Sequence, residues 1–138
     1  MNHQATCVAI AGRAVLIEGA PGAGKSSLAL ALIDRGAMLV GDDGVALERR
    51  GAHLLASPVP ATAGLLEVRG LGFVTMPVLA GVPVALVIVL TPDAPRFIEE
   101  PEQVTRHGAV LPLIRIWPES PVIHLRAELA LRQYGLAV

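Results

Sequence analysis

The sequence predicts an α/β fold with a mixed central sheet, and three stretches predict it. The apolar run Ala14-Val15-Leu16-Ile17 reads as a buried strand, and Ser27 to Arg35 places Leu28, Ala29, Leu32 and Ile33 on one face of a helix. Between them lies Gly19-Ala20-Pro21-Gly22-Ala23-Gly24-Lys25-Ser26, which fits G-x-x-x-x-G-K-S in the strand–loop–helix setting that this pattern requires. A further stretch, Val82 to Leu90, is a continuous apolar run rich in β-branched residues and reads as a central strand. Pro83 falls at its start, where a missing N–H does least harm.

The glycine-rich stretch is a phosphate-binding (Walker A) loop by its chemistry. Its glycines let the backbone curl so that successive N–H groups converge on phosphate oxygens. Pro21 has no N–H to give, but the variable positions are permissive. Lys25 would reach the β- and γ-phosphates, the Ser26 hydroxyl would hold Mg²⁺, and the helix N-terminus would add its own N–H groups and positive dipole end. The chain has ten arginines and a single lysine, Lys25, at the one place where a guanidinium fork would not fit. The reading is a nucleotide site for ATP with Mg²⁺.

Taken in order, Thr6 to Ile10 is a short apolar strand, and the turn Ala11-Gly12-Arg13 joins it to Ala14–Glu18 as an N-terminal hairpin. Gly36 stands where a helix C-cap is expected. Met38 to Asp43 then reads as a strand ending in two carboxylates. A helix between two strands implies a right-handed crossover, so this strand is expected to lie in parallel directly beside Ala14–Glu18. Asp42 or Asp43 would then face Mg²⁺ or the attacking group. Neighbours on a strand point to opposite faces, so the two share a task only if the strand breaks there, and one of them could simply cap the turn at Gly44.

Val45–Arg49 and Ala52–Ala56 form a second hairpin around Arg50-Gly51, and Ser57 to Gly64 is a loop. Leu65 to Thr75 reads as one strand with Glu67 and Arg69 on the same face. Glu67 either makes an ion pair across that face or adds a carboxylate to the metal site. Thr91 to Arg96 is a turn-rich connection, Phe97 to His107 is polar, and Ala109 to Trp117 is a strand interrupted by Pro112. Pro121 to Gly135 closes the chain as an amphipathic helix with Val122, Leu125, Leu129 and Ala130 on one face.

Composition sets the limits. At 138 residues the chain is expected to be one domain, 1–138. Apolar residues make up 53% and the mean hydropathy is +0.59, a surplus explained by a buried sheet and a subunit interface. The longest apolar stretch is too short to span a bilayer, and no secretory leader opens the chain, so no membrane is expected. A net charge of −1 with scattered arginines excludes a nucleic-acid footprint. The lone Cys7 reads as a strand residue in a reducing cytoplasm, and the four histidines lack metal-ligand spacing.

Two stretches together resemble a known family. The loop Gly19–Ser26 continuing into Leu32-Ile33-Asp34-Arg35-Gly36-Ala37-Met38-Leu39-Val40-Gly41-Asp42-Asp43, and then Leu66-Glu67-Val68-Arg69-Gly70-Leu71-Gly72, is similar to HPr kinase/phosphorylase. That resemblance implies a hexameric enzyme that phosphorylates a serine of the phosphocarrier protein HPr in the bacterial sugar phosphotransferase system. It also implies the reverse reaction, with inorganic phosphate consumed and pyrophosphate released. The resemblance runs from about Thr6 to the C-terminal helix and corresponds to the family's catalytic domain, as in the short forms of α-proteobacteria. It implies that Gly19 to Ser26 bind the nucleotide and that Ser26 and Glu67 hold Mg²⁺. It implies further that Asp43, beside Asp42, is the general base for phosphorylation, and that Arg96 answers to a catalytic arginine.

Three departures accompany the resemblance. His3 is the one candidate for the family's catalytic histidine and stands one residue further from Lys25. Gly41 replaces a usual alanine. The family's late basic loop becomes Trp117-Pro118-Glu119-Ser120-Pro121, with no arginine, which leaves the kinase reading intact and puts the phosphorylase reading in question. Among rival readings, a small-molecule kinase would bring clustered lid arginines, whereas Arg96, Arg106 and Arg115 lie in separate segments. A guanine-nucleotide switch needs a second lysine, and a binding module without turnover has no use for intact Lys25, Ser26 and Asp43.

Overall fold

Strands β2 (Thr6–Ile10) and β3 (Arg13–Gly19) form the expected hairpin, in antiparallel register from Thr6↔Ile17 to Ile10↔Arg13. Cys7 to Ala9 and Ala14 to Ile17 are buried without a break. Both faces of the hairpin are therefore covered, which is why these strands read as apolar runs rather than alternating ones. The computed structural model describes all 138 residues. Ahead of the hairpin lies the two-residue strand β1 (Asn2–His3).

After β3 and the glycine loop comes helix α1 (Lys25–Asp34), which buries Leu28, Ala29 and Leu32 as its periodicity predicts. Strand β4 (Met38–Gly41) follows. It runs parallel to β3 but does not lie beside it: the sheet order is β3-β2-β4, with β2 antiparallel to both. The crossover rule gave the right direction and the wrong neighbour, because the hairpin partner already occupied the adjacent slot. The second hairpin is as expected, β5 (Val45–Arg50) and β6 (His53–Ser57). A 3₁₀ turn (Pro60–Thr62) follows.

Leu65 to Thr75 is not one strand. It folds into a small separate hairpin, β7 (Leu65–Val68) and β8 (Gly72–Thr75), because Gly70 takes a left-handed turn between them. Strand β9 (Val82–Leu90) is central as predicted. Its first residues pair antiparallel with β6, its length pairs parallel with β3, and from Val87 it pairs parallel with β11 (Ala109–Ile116). The polar stretch before β11 supplies a further strand, β10 (Glu102–Arg106), antiparallel to β11. Pro112 does not interrupt β11, since the ladder with β9 begins one residue later at Leu113.

The result is a curled nine-stranded mixed sheet. One face packs against α1 and the closing helix α2 (Ile123–Tyr134); the other is covered by the β5–β6 hairpin and the inner side of β11. α2 is rotated from its expected face: Ala127, Ala130 and Leu131 are buried, whereas Val122 and Leu129 are exposed. Leu125 and Leu129 share one stripe of this helix, but Leu131 and the small Ala127 and Ala130 are the residues turned inward. Cys7 is fully buried and burial pushes its thiol pKa far up, as befits a core residue. No helix is long and apolar enough to cross a membrane.

The ends of β3, β9 and β11 and the end of β4 all come to one edge of the sheet, where β2 begins. Open α/β sheets bind ligands at the carboxyl ends of their parallel strands.

Candidate phosphate-loop site

The loop between β3 and α1 is held tightly at its first residue. A Cβ on Gly19 would meet the Leu90 carbonyl oxygen at 2.9 Å, so only glycine lets the loop leave β3 this close to β9. At the other end Gly24, with φ of 100°, caps α1 without a side-chain hydrogen bond, and no acidic residue occupies the first turn. The N–H groups of Gly22, Gly24, Lys25, Ser26 and Ser27 have no protein acceptor. Five donors thus lie in the loop and the first turn of the helix with nothing on the chain to receive them, which is the physical description of an anion site. Lys25 Nζ meanwhile donates to the carbonyl oxygens of Gly19 (2.9 Å) and Ala20 (3.1 Å).

The two aspartates separate cleanly. The strand ends at Gly41, and Asp43 adopts a left-handed φ of 58°, a region that Asp tolerates better than most residues. The break lets both side chains line the same cleft. Asp42 is buried and fully engaged. Its Oδ1 accepts from Ser26 Oγ (2.7 Å) and Thr6 Oγ1 (2.9 Å), and its Oδ2 accepts from the Glu67 N–H (2.9 Å). One carboxylate therefore ties together the loop serine, the start of β2 and the β7–β8 hairpin. Asp43 is exposed and makes no hydrogen bond to the chain.

The cleft has a volume of about 410 Å³, and Lys25, Ser26, Asp42, Asp43, Glu67 and Arg69 contribute its charged and polar wall. Glu67 and Arg69 are brought here by the hairpin. Thr6 is the residue that sequence reasoning missed. Its signal was present, a hydroxyl opening an otherwise apolar strand, but its role depends on β2 lying between β3 and β4. The side chains in the cleft able to ligate a metal are hydroxyls and carboxylates, without histidine or thiol, and no three acidic or histidine side chains converge to form a metal cage. That suits a hard cation such as Mg²⁺, which takes one or two protein oxygens and completes its shell with water and phosphate.

Two candidates lie elsewhere. His3 is not part of the cleft wall: its Nε2 is 2.8 Å from Glu18 Oε2, and its ring meets His107 edge-on. Arg106 grips the same Glu18 through Nε (3.0 Å) and Nη2 (2.8 Å). Burial acts to raise the Glu18 pKa, but the bonds from Arg106 and His3 and their charges outweigh it and hold the carboxyl below its usual range. Arg96 lines a second groove with Arg115, Trp117 and Arg126. Arginines far apart in sequence thus come together there, though not over the phosphate loop.

The family model described as HPr Serine kinase C-terminal domain matches residues 1–86. The HPr kinase/phosphorylase of Clostridium tetani is 46% identical over 74 residues, which cover 54% of this chain and 24% of that protein. That of an Exiguobacterium species is 44% identical over 75 residues, with the same coverage. The matched stretch thus spans about a quarter of the length of these relatives. The solved structure of the Hpr(Ser) kinase/phosphatase from Coxiella burnetii superposes with a TM-score of 0.84 at 29% identity, covering 96% of this chain and 94% of that one.

Proposed function

Because the chain belongs to the HPr serine kinase C-terminal domain family, we propose that it is an ATP- and Mg²⁺-dependent kinase acting on a serine of an HPr-type phosphocarrier protein. The observation that carries this reading is the division of labour between Asp42 and Asp43. Asp42 is saturated by three hydrogen bonds, whereas Asp43 stands beside it in the same cleft with both oxygens available. A serine hydroxyl is a weak nucleophile, so a carboxylate must take its proton as the new bond forms. In this reading the acceptor oxygen bonds to the γ-phosphorus as the β–γ bridging bond breaks and ADP leaves, and the proton passes to Asp43.

Gly19 to Ser26 would hold the phosphates, with Ala20, Pro21 and Ala23 shaping the turn and the N–H groups around Gly22 and Gly24 as donors. Lys25 would exchange its carbonyl partners for phosphate oxygens. Ser26 Oγ and Glu67 would hold Mg²⁺, and Asp42 would fix the direction of the Ser26 hydroxyl. The bound ion would offset charge on the transferring group. Residues 1–138 would act as one catalytic unit in the cytoplasm. The exposed Leu71, Phe73 and Phe97 favour assembly into a homo-oligomer, a hexamer in this reading, which light scattering would measure.

The test is intact-mass spectrometry of HPr from the same organism after incubation with this protein, Mg²⁺ and ATP. The expected result is one added phosphoryl group on serine, absent with Asp43→Asn. Inorganic phosphate added afterwards reads the reverse reaction, with pyrophosphate as product. Retained ATP binding with no mass gain by wild-type protein would overturn the kinase reading.

A further inference from the structure

Thr6 opens the apolar strand β2 and is only 1% exposed. Val8, two residues on, packs with Leu28, Ala29 and Leu32 of α1, so Thr6 stands on the same face of β2, toward that helix. The ladder between β2 and β4 sets Cys7 opposite Gly41, and the chain therefore delivers Asp42 beside Thr6 as β4 ends. A buried hydroxyl needs an acceptor, and Thr6 Oγ1 donates to Asp42 Oδ1 at 2.9 Å.

Asp42 passes this anchorage on in two directions. The same Oδ1 accepts from Ser26 Oγ at 2.7 Å, and Oδ2 accepts from the Glu67 N–H at 2.9 Å. Ser26 and Glu67 are the two residues that would hold Mg²⁺ in the proposed function. The Ser26 proton is committed to Asp42, so the hydroxyl has its lone pairs left for the cleft and acts there as an oxygen ligand rather than as a donor. The bond to the Glu67 N–H fixes the backbone that carries the Glu67 carboxylate. Of the three partners of Asp42, only Thr6 is buried. Ser26 starts a helix after a glycine loop, and Glu67 lies on a two-stranded hairpin outside the main sheet. Thr6 is thus the fixed point from which both are held.

We propose that Thr6 is a positioning residue that sets the cation selectivity of this cleft, favouring Mg²⁺ over Ca²⁺; the inference rests on the proposed nucleotide function. Mg²⁺ demands near-ideal octahedral geometry at short distances, whereas Ca²⁺ accepts a larger and more variable set of oxygens. With Thr6 in place the Asp42 carboxylate is held against rotation, and the spacing of Ser26 and Glu67 is held with it. Without the Thr6 hydroxyl, Oδ1 keeps one partner instead of two and that spacing loosens. Mg²⁺ is sensitive to such loosening, and Ca²⁺ tolerates it.

The β,γ-imido analogue of ATP is titrated calorimetrically into the full chain with Mg²⁺, with Ca²⁺ and with EDTA. Thr6→Val keeps the shape and the β-branching and removes the hydroxyl, and Thr6→Ser restores the hydroxyl. Thr6→Val is expected to weaken binding with Mg²⁺ roughly tenfold and binding with Ca²⁺ or EDTA less than about twofold; Thr6→Ser stays within about threefold of wild type throughout. In the ligand-free protein, hydrogen exchange at the Glu67 amide should quicken roughly tenfold in Thr6→Val and stay near wild type in Thr6→Ser. Equal losses under all three conditions would mark a merely structural role and overturn the proposal. Unchanged Mg²⁺ affinity, unchanged Glu67 exchange, or a serine variant as impaired as the valine one overturns it as well. Wild-type protein that binds the analogue no better with Mg²⁺ than with EDTA overturns the proposed metal site itself, and cation selectivity with it. Circular dichroism checks the fold, and Thr6→Ala, carried in parallel, supplies the same comparison where the valine variant does not fold.

Discussion

Replacing each aspartate of the pair by asparagine separates support from chemistry. In Asp42→Asn the side chain keeps its shape, and the amide can turn its oxygen to the Glu67 N–H and its NH₂ to the hydroxyl oxygens of Thr6 and Ser26. No partner is orphaned, so the loss is the charge assistance of three bonds. A hydrogen bond to a charged group is worth about 1.5–3 kcal/mol against about 1 for a neutral one, so each bond forfeits about 0.5–2 kcal/mol and the three together about 1.5–6. For a chain of this size 1 kcal/mol moves Tm by about 3–5 °C, which predicts a fall of roughly 5–30 °C by differential scanning calorimetry. Asp43→Asn is predicted to leave Tm within about 2 °C. The residue is exposed, it makes no hydrogen bond, and asparagine also tolerates the left-handed φ. Turnover should vanish in Asp43→Asn while ATP binding survives. Equal melting temperatures for the two variants, or a stable Asp42→Asn beside an unstable Asp43→Asn, would refute this division.

The other predictions concern single features. In Gly41→Ala a Cβ would run into the Gly44 carbonyl oxygen, so restoring the family's usual residue should destabilise the chain by about 1–3 kcal/mol; an unchanged thermal melt would contradict this. Lys25→Met should weaken ATP binding, followed by calorimetric titration, on the order of 10- to 100-fold with little change in Tm. Acidification should lower stability in two stages. His107 is held below the ordinary histidine value of 6.5, by burial first and then by the charges of His3, the N-terminus and Arg106. The unfolded chain therefore takes up that proton first, and stability present above 6.5 is lost as pH falls through the folded value. Glu18, with its pKa held below 4.5, contributes above 4.5, and that contribution is lost as pH falls through its own folded value. Glu18→Gln should remove the lower stage from the Tm–pH curve; a curve of unchanged form would count against the Arg106–Glu18 contact.

Local signals in the sequence were read correctly where they were decided locally. The glycine loop, the face of α1 and both long hairpins follow from turn residues and apolar runs within a few positions of one another. What was misread depended on partners distant in the chain. Nothing in Met38–Gly41 says that β2 already occupies the place beside β3, so neither the strand order nor the bond from Thr6 to Asp42 was legible. Gly70 was legible as a turn but was overridden by the apolar run around it. In α2 the Leu125–Leu129 pair drew the expected face, whereas Ala127, Ala130 and Leu131 are the residues the packing buries. The gathering of Arg96, Arg115 and Arg126 is of the same kind, since a loop, a strand and a helix meet only once the sheet curls.

Under the proposed function the two carbonyl bonds of Lys25 would make phosphate capture a handover rather than a simple addition. An ammonium has three protons to donate, and Gly19 and Ala20 hold two of them. The third can meet an arriving phosphate oxygen before either existing bond is given up. Each carbonyl would then be released to water as another phosphate oxygen takes its place, so the ammonium would keep partners along the way. A loop spanned in this manner stays closed around its own lysine in the absence of ligand. Under the proposed function it would meet the nucleotide already close to the shape required and return to that shape when the product leaves.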